Sequence, residues 1–310
     1  MPPRPERSCW FTAPLRWACQ RVARLPQQRL LQLGSVLAWL LTPLLARRRG
    51  IARINLALCF PERDADAREA LVRANTRASI TGLLEMARAW YAPSSVLRGV
   101  VDVQGVEHLQ AARAGGRGVL MLTAHFPHVD LGTRLLGEVL GEPLSCMVRR
   151  VGGSCGERMM EAGRRRVSAS VIGKKDVRGL LRALSRGGMV AYLADQNFTY
   201  NSAFVPFFGV PAATLTTTLD LARRAGVAIV PYWCQRLDDG RYRIRIDAPW
   251  AEAGGVDPVA FAGRYMRELE AVIRQHPEQY LWWHRRFKTR PEGEASPYVD
   301  PTSWEPLQRR

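Results

Sequence analysis

The chain has 310 residues, 47% of them apolar, which is enough to bury a sizeable core and excludes a disordered polypeptide. Its 45 Lys and Arg against 28 Asp and Glu leave a formal charge of +17, which points to a polyanionic partner: nucleic acid, an anionic membrane or a phosphorylated substrate. The six cysteines (Cys9, Cys19, Cys59, Cys146, Cys155 and Cys234) have neither zinc-site spacing nor disulfide-framework density, so they read as reduced, cytosolic thiols.

Residues 1–28 set Arg4, Arg7, Arg16, Arg21 and Arg24 among Trp10, Phe11, Leu15 and Trp17, a mixture suited to lipid headgroups or to a solvated arm. Leu30 to Ala46 follows with 17 uncharged residues, bounded by Arg29 and by Arg47-Arg48-Arg49. As a helix this run is ~25 Å long, short of a ~30 Å hydrocarbon core, and Pro43 weakens its last turn. It predicts an anchor rather than a full span, with a buried core helix as the alternative. The triple Arg stands where a secretory signal would carry a small-residue cleavage site, and it places the basic remainder on the cytoplasmic side. Asn55-Leu56 and Cys59 to Glu62 read as a turn, and helical periodicity runs from Asp66 to Ala89.

From Val100 the pattern changes. Strands are predicted near 100–105, 118–124, 144–149, 167–172, 189–194, 227–233 and 241–247, and helices near 127–140, 156–165, 175–186, 215–225 and 257–275. That alternation predicts an α/β domain with a mixed, mostly parallel sheet flanked by helices. The chain divides into a basic and apolar N-terminal anchor (1–50), a helical lead-in (51–99), the α/β domain (100–290) and a loosely ordered tail (291–310).

The chemistry-bearing residues gather at strand ends. His125 follows the apolar run Gly118 to Ala124, so it lies at the carboxyl end of a strand, the edge where ligands collect in open α/β sheets. Asp130, with Pro127 opening the intervening helix, is placed to accept from the imidazole and make it a general base; a helix-capping Asp beside a surface His is the alternative. Asp195 closes the run Met189 to Ala194 and, with Gln196 and Asn197, is expected either to converge on the same edge or to satisfy its own turn. The stretch Phe204 to Pro211 predicts an apolar loop that walls an acyl pocket, touches membrane or is a buried crossover. Arg149-Arg150, Arg164-Arg165-Arg166, Lys174, Lys175, Arg178 and Arg182 suit phosphate or carboxylate recognition, or a solvated face. Trp282 to Pro291 interleaves aromatics with cations, as a lipid interface or a single-strand binder would. Gly152-Gly153-Ser154-Cys155-Gly156 matches a nucleophile-elbow pattern, with Asp195 or Asp220 and His276 or His284 to complete a triad, and this keeps a serine hydrolase open. A basic nucleic-acid-binding protein has the charge but none of the helix-turn-helix, RRM or zinc patterns.

Several stretches in order resemble the late acyltransferases of lipid A biosynthesis: Asn55 to Glu62, Gly105 to Leu109, His125-x4-Asp130, Lys175 to Leu184, Ala194 to Phe198, Phe204 to Val210, Ala213 to Thr216 and Tyr280 to Pro291. The resemblance implies a glycerol-phosphate acyltransferase-like fold and makes 100–290 the catalytic acyltransferase domain. It implies an inner-membrane enzyme acting on the cytoplasmic face, without metal or organic cofactor and without a nucleic-acid partner. Such an enzyme moves a C12–C14 acyl chain from acyl carrier protein to a 3-hydroxyacyl hydroxyl of Kdo2-lipid IV(A), a lipid A precursor, at an anionic membrane; a sister enzyme with another lipid acceptor is the near alternative. His125 matches the family's catalytic histidine and Asp130 its acidic partner. Arg149 and Arg164 match arginines suited to phosphate or oxyanion contact, and Asp195, His284, Arg285 and Arg286 match further signature positions expected to bind substrate. The chain departs from the family pattern in having Asp at 130, Asn at 197 and Gly152-Gly153.

Overall fold

In the computed structural model, which describes residues 12–148, 154–250 and 255–298, the chain begins with a helical hairpin and ends in an α/β sandwich. Helices α1 (Thr12–Ala23), α2 (Gln27–Leu41), α3 (Ala46–Cys59), α4 (Ala65–Tyr91) and α5 (Ser94–Leu97) precede the sheet. There follow β1 (Val101–Gln104), α6 (Val106–Ala112), β2 (Val119–Thr123), α7 (Val129–Leu140), β3 (Ser145–Val148), α8 (Cys155–Arg165), β4 (Val171–Gly173), α9 (Val177–Ser185) and β5 (Met189–Leu193). The last set is β6 (Ser202–Phe207), β7 (Val210–Leu215), α10 (Thr218–Ala225), β8 (Ala228–Arg236), β9 (Tyr242–Ile246) and α11 (Pro258–Gln275).

Seven strands form one sheet in the order β1-β9-β8-β2-β5-β3-β4. All neighbours are parallel except β8 and β9, so the five strands from β8 to β4 run one way and the β9-β1 edge runs back. The predicted α/β class and mixed, mostly parallel sheet are therefore what the structure shows. Burial explains the sequence of each strand. β2 is covered on both faces and is buried throughout, which demands the continuous apolar run Val-Leu-Met-Leu-Thr. β9 is covered on one face only, so Tyr242, Ile244 and Ile246 point inward while Arg243 and Arg245 point out.

Three expectations are corrected. The stretch 204–211 is no loop: β6 and β7 form an antiparallel hairpin turning at Phe208-Gly209. Among the described residues this stretch does not line the large cavity that His125 lines; as in the buried alternative, Val205, Phe207, Phe208 and Val210 lie in the core among Phe60, Tyr280, Trp282 and Phe287. Asn55-Leu56 is not a turn but lies inside α3, where Asn55 is fully buried and its Nδ2 donates to the carbonyls of Trp282 (2.7 Å) and His284 (2.8 Å). Cys155 is disulfide-bonded rather than reduced, whereas Cys19, Cys59, Cys146 and Cys234 are free thiols; Cys9 lies outside the described residues.

The apolar run at 30–46 is a surface helix with two apolar faces. Leu30, Gly34 and Ala38, each one turn apart, are buried against α4, while Val36, Trp39 and Leu40 on the opposite side are exposed; Trp39 is 76% exposed and Leu44, just beyond, 81%. Pro43 converts the end of the run into a 3₁₀ turn at Thr42–Leu45. The continuous helical stretch Gln27–Cys59 is long and apolar enough to cross a membrane by length and composition. Two close approaches fix this layer. A β-carbon on Gly34 would lie 2.3 Å from Thr81 Oγ1 of α4, and one on Gly82 would lie 2.6 Å from Cβ and O of Pro127, in the loop that follows β2.

Candidate active site

β2 and β5 are parallel neighbours with Thr123 opposite Leu193, so the residues two places further on, His125 and Asp195, leave the sheet side by side. His125 Nδ1 lies 2.6 Å from Asp195 Oδ1, and the His125 backbone N–H donates to Asp195 Oδ2 at 2.9 Å. The Tyr280 hydroxyl donates to the same Oδ2 at 3.0 Å, and the Tyr265 hydroxyl donates to the Thr123 carbonyl at 2.6 Å, bracing the end of β2. Asp195 is 1% exposed. Burial pushes its carboxyl up, but the His125 imidazole and the backbone N–H donors, that of His125 first, overcome that and hold it at about 2. An ionised carboxylate accepts only, so Nδ1 of His125 carries a hydrogen, and in the neutral imidazole Nε2 is the nitrogen with the lone pair.

The expected pairing of His125 with Asp130 is not what the structure shows. Asp130 stands in the first turn of α7 and takes a bidentate ion pair from Arg164 of α8, Nε to Oδ1 at 2.7 Å and Nη2 to Oδ2 at 2.9 Å. Once α7 begins at Val129, its first turn faces α8, and the loop before it turns the imidazole toward the neighbouring strand instead. Arg164 is thus anchored to a carboxylate through Nε and Nη2, while its side chain still lines the cavity. Arg149 lies outside the described residues.

His125, Asp130 and Arg164 line a cavity of about 2330 Å³. Its apolar walls include Ile51, Leu144, Val148, Leu180, Leu215 and Trp283. One basic rim is formed by Arg47, Arg48, Arg285 and Lys288, directly after the exposed Leu44; another is formed by Lys174, Lys175, Arg223 and Arg224.

The carboxy-terminal signature splits by role. His284 and Arg285 line the cavity. Arg286 does not: it is 1% exposed, donates to the carbonyls of Ala213 (2.8 Å) and Gln196 (3.3 Å) and to Thr214, and lies 5.5 Å from the Phe207 ring. It clamps the loop after β5 through Nη1 and Nη2, and its remaining Nε–H is buried without a partner away from the cavity lining. Sequence reasoning gave no role at the site to Asn55, Tyr265 or Tyr280, although Asn55 and Tyr280 open two of the stretches that carry the resemblance. Ser154 is exposed at the N-terminus of α8, where its hydroxyl accepts the Glu157 N–H at 3.3 Å and Glu157 Oε2 accepts the Ser154 N–H at 3.0 Å, a capping box. No histidine bonds to it among the described residues, which removes the hydrolase triad.

The family model of bacterial lipid A biosynthesis acyltransferase matches residues 8–289. The chain is 36% identical to the lipid A biosynthesis palmitoleoyltransferase of Escherichia coli K12 over 293 residues, covering 94% of each protein. It is 35% identical to the lauroyltransferase of the same strain, covering 93% of this chain and 94% of the relative. With that strain's myristoyltransferase the identity is 29%, covering 82% of this chain and 78% of the relative.

Proposed function

Since the chain belongs to the bacterial lipid A biosynthesis acyltransferases and is therefore an acyltransferase of lipid A assembly, we propose that it takes a C12–C14 chain from acyl carrier protein and esterifies a 3-hydroxyacyl hydroxyl of Kdo2-lipid IV(A). His125 is the general base, and Asp195, not Asp130, orients it. The observation that carries this reading is the 2.6 Å contact between His125 Nδ1 and the buried Asp195 carboxylate at the wall of a large, partly apolar cavity.

The chemistry follows from that contact. Nε2 of His125 takes the acceptor hydroxyl's proton as the oxygen attacks the thioester carbon, and Asp195 stabilises the imidazolium that forms. The thiolate leaves and takes the proton back from His125, so no acyl-enzyme is needed. The Asp130–Arg164 ion pair ties α7 to α8 and fixes one wall of the cavity. The exposed face of Trp39, Leu40 and Leu44 seats the enzyme on the cytoplasmic face of the inner membrane, and the adjoining rim of Arg47, Arg48, Arg285 and Lys288 meets the acceptor's phosphates. The second basic rim suits the acidic carrier protein.

Mass spectrometry of lipid A from cells lacking the protein should show one secondary acyl chain missing, whose length names the donor; unaltered lipid A refutes the reading. With purified enzyme, His125→Ala should lower turnover by ~10²–10⁴-fold.

A further inference from the structure

We propose that His284 is the oxyanion donor of this transfer: its Nδ1–H hydrogen-bonds the thioester carbonyl oxygen as negative charge develops there. The inference rests on the acyl-transfer reading above and assigns the second imidazole of the site.

The tautomer is fixed by the backbone. The Asn197 N–H donates to His284 Nε2 at 3.0 Å, so Nε2 is the unprotonated nitrogen and Nδ1 bears the hydrogen. Nδ1 has no hydrogen-bond partner among the described residues and is not a buried orphan, while His284 lines the same cavity as His125. The surroundings are rigid. The His284 N–H donates to the Leu281 carbonyl at 3.1 Å, and the His284 carbonyl accepts from Asn55 Nδ2 at 2.8 Å and from the Arg286 N–H at 2.9 Å. Asn197 is held in turn by Thr289, which accepts from its Nδ2 at 2.9 Å and donates its N–H to Oδ1 at 3.0 Å. A donor that needs no rearrangement as charge appears is what stabilises an oxyanion.

Charge state agrees with this geometry. Burial drives the His284 imidazole down to about 4, with Arg286 and His125 adding to the effect and Asp195 opposing it, so it is neutral throughout the working range. The two imidazoles thus share the Nδ1–H tautomer but leave opposite nitrogens unpaired at one wall: His125 offers a lone pair on Nε2 and His284 a hydrogen on Nδ1. Arg164 is not equivalent, because it is a charged group anchored to Asp130 through Nε and Nη2, whereas His284 is a neutral donor. In the step, the acceptor oxygen bonds to the acyl carbon, the carbonyl π pair moves onto oxygen and is met by Nδ1–H, and the pair returns as the carbon–sulfur bond breaks. The proton on Nδ1 never leaves.

Two substitutions separate donor from scaffold. His284→Gln places an amide oxygen near the Nε2 position and keeps the Asn197 contact but lacks the Nδ1–H; His284→Asn loses that contact and places an N–H near Nδ1. With the full-length enzyme, acyl-carrier donor and lipid acceptor, His284→Gln should lower kcat by ~10²-fold with KM little changed, and His284→Asn should recover most of that loss. Gln turnover within about threefold of the parent, or Asn no better than Ala, overturns the assignment. ¹⁵N NMR of the parent enzyme provides a check independent of folding in the variants: a His284 protonated on Nε2 also overturns it. If the parent enzyme itself transfers no acyl chain to the lipid acceptor, the acyl-transfer reading fails instead.

Discussion

Replacing Asp195 by Asn tests which carboxylate serves His125. The substitution keeps the shape of the site but removes the charge beside Nδ1, and the new amide can no longer accept both from the imidazole and from the His125 N–H without turning its own NH₂ toward one of them. Although burial opposes ionisation, the carboxyl is held at about 2 against an ordinary 3.8, with the His125 contact the largest stabilising cause. That difference corresponds to roughly 2 kcal/mol, or tens of fold, of preferential interaction with the charged carboxylate. The imidazolium formed in the reaction loses support of this order, and the preferred tautomer is lost as well, so kcat should fall between ~10²- and 10⁴-fold with KM nearly constant. Steady-state transfer at saturating donor and acceptor reads this directly. The same depressed ionisation makes a stability contribution that is complete above about pH 5 and lost as pH falls toward 2, so acid unfolding of Asp195→Asn should be flatter over that range. A kcat within threefold of the parent would refute the assignment, and an inactive but fully stable Asp130→Asn would hand the role back to Asp130.

Asp130→Asn should instead act on stability: it leaves Arg164, only 22% exposed, without its bidentate partner, at a cost of about 1–3 kcal/mol, seen as a lower midpoint in thermal unfolding. Ser154→Ala removes an N-cap and should cost about 1 kcal/mol while leaving kcat unchanged; loss of turnover in the folded variant would revive the serine hydrolase. Trp39→Ser with Leu44→Ser removes two exposed apolar side chains and should reduce co-sedimentation with anionic vesicles at least about tenfold, since burying either is worth about 1.5–3 kcal/mol; unchanged sedimentation would remove this face from the membrane. Gly82→Ala forces a methyl onto Pro127 and should depress kcat by displacing the loop that carries His125, measured against a parent-like far-UV spectrum; parent-like kcat would show that the loop yields freely.

Sequence alone put both His125 and Asp195 at the carboxyl ends of strands, because each closes an apolar run too regular to be anything else. Their union was not legible. It depends on β2 and β5 being neighbours in register, a relation between residues 70 positions apart, whereas Asp130 was five residues away and won on proximity. The β6-β7 hairpin was hidden by Pro206 and Pro211, which normally argue against a strand; in the hairpin they stand opposite one another, so their missing N–H groups fall on the same rung. Its turn, Phe208-Gly209 with φ of 51° and 73°, lacks the Asn-Gly or Asp-Gly that advertises such a geometry; instead, Glu270 of α11 accepts the Phe208 N–H at 2.7 Å. Asn55 looked like a turn former because its polarity has no local explanation, its partners all coming from the far end of the chain.

The glycine contacts at 34 and 82 bring α2 close to Thr81 of α4, and α4 close to Pro127 in the loop bearing His125, so the outward apolar face and that imidazole are linked through two short steps. The molecule is built like a depth gauge. On the proposed reading, a lipid whose headgroup rested in the plane of Trp39 and Leu44 would meet His125 at one fixed distance down its hydrocarbon. Which hydroxyl along a chain is acylated would then follow from the thickness of two helices.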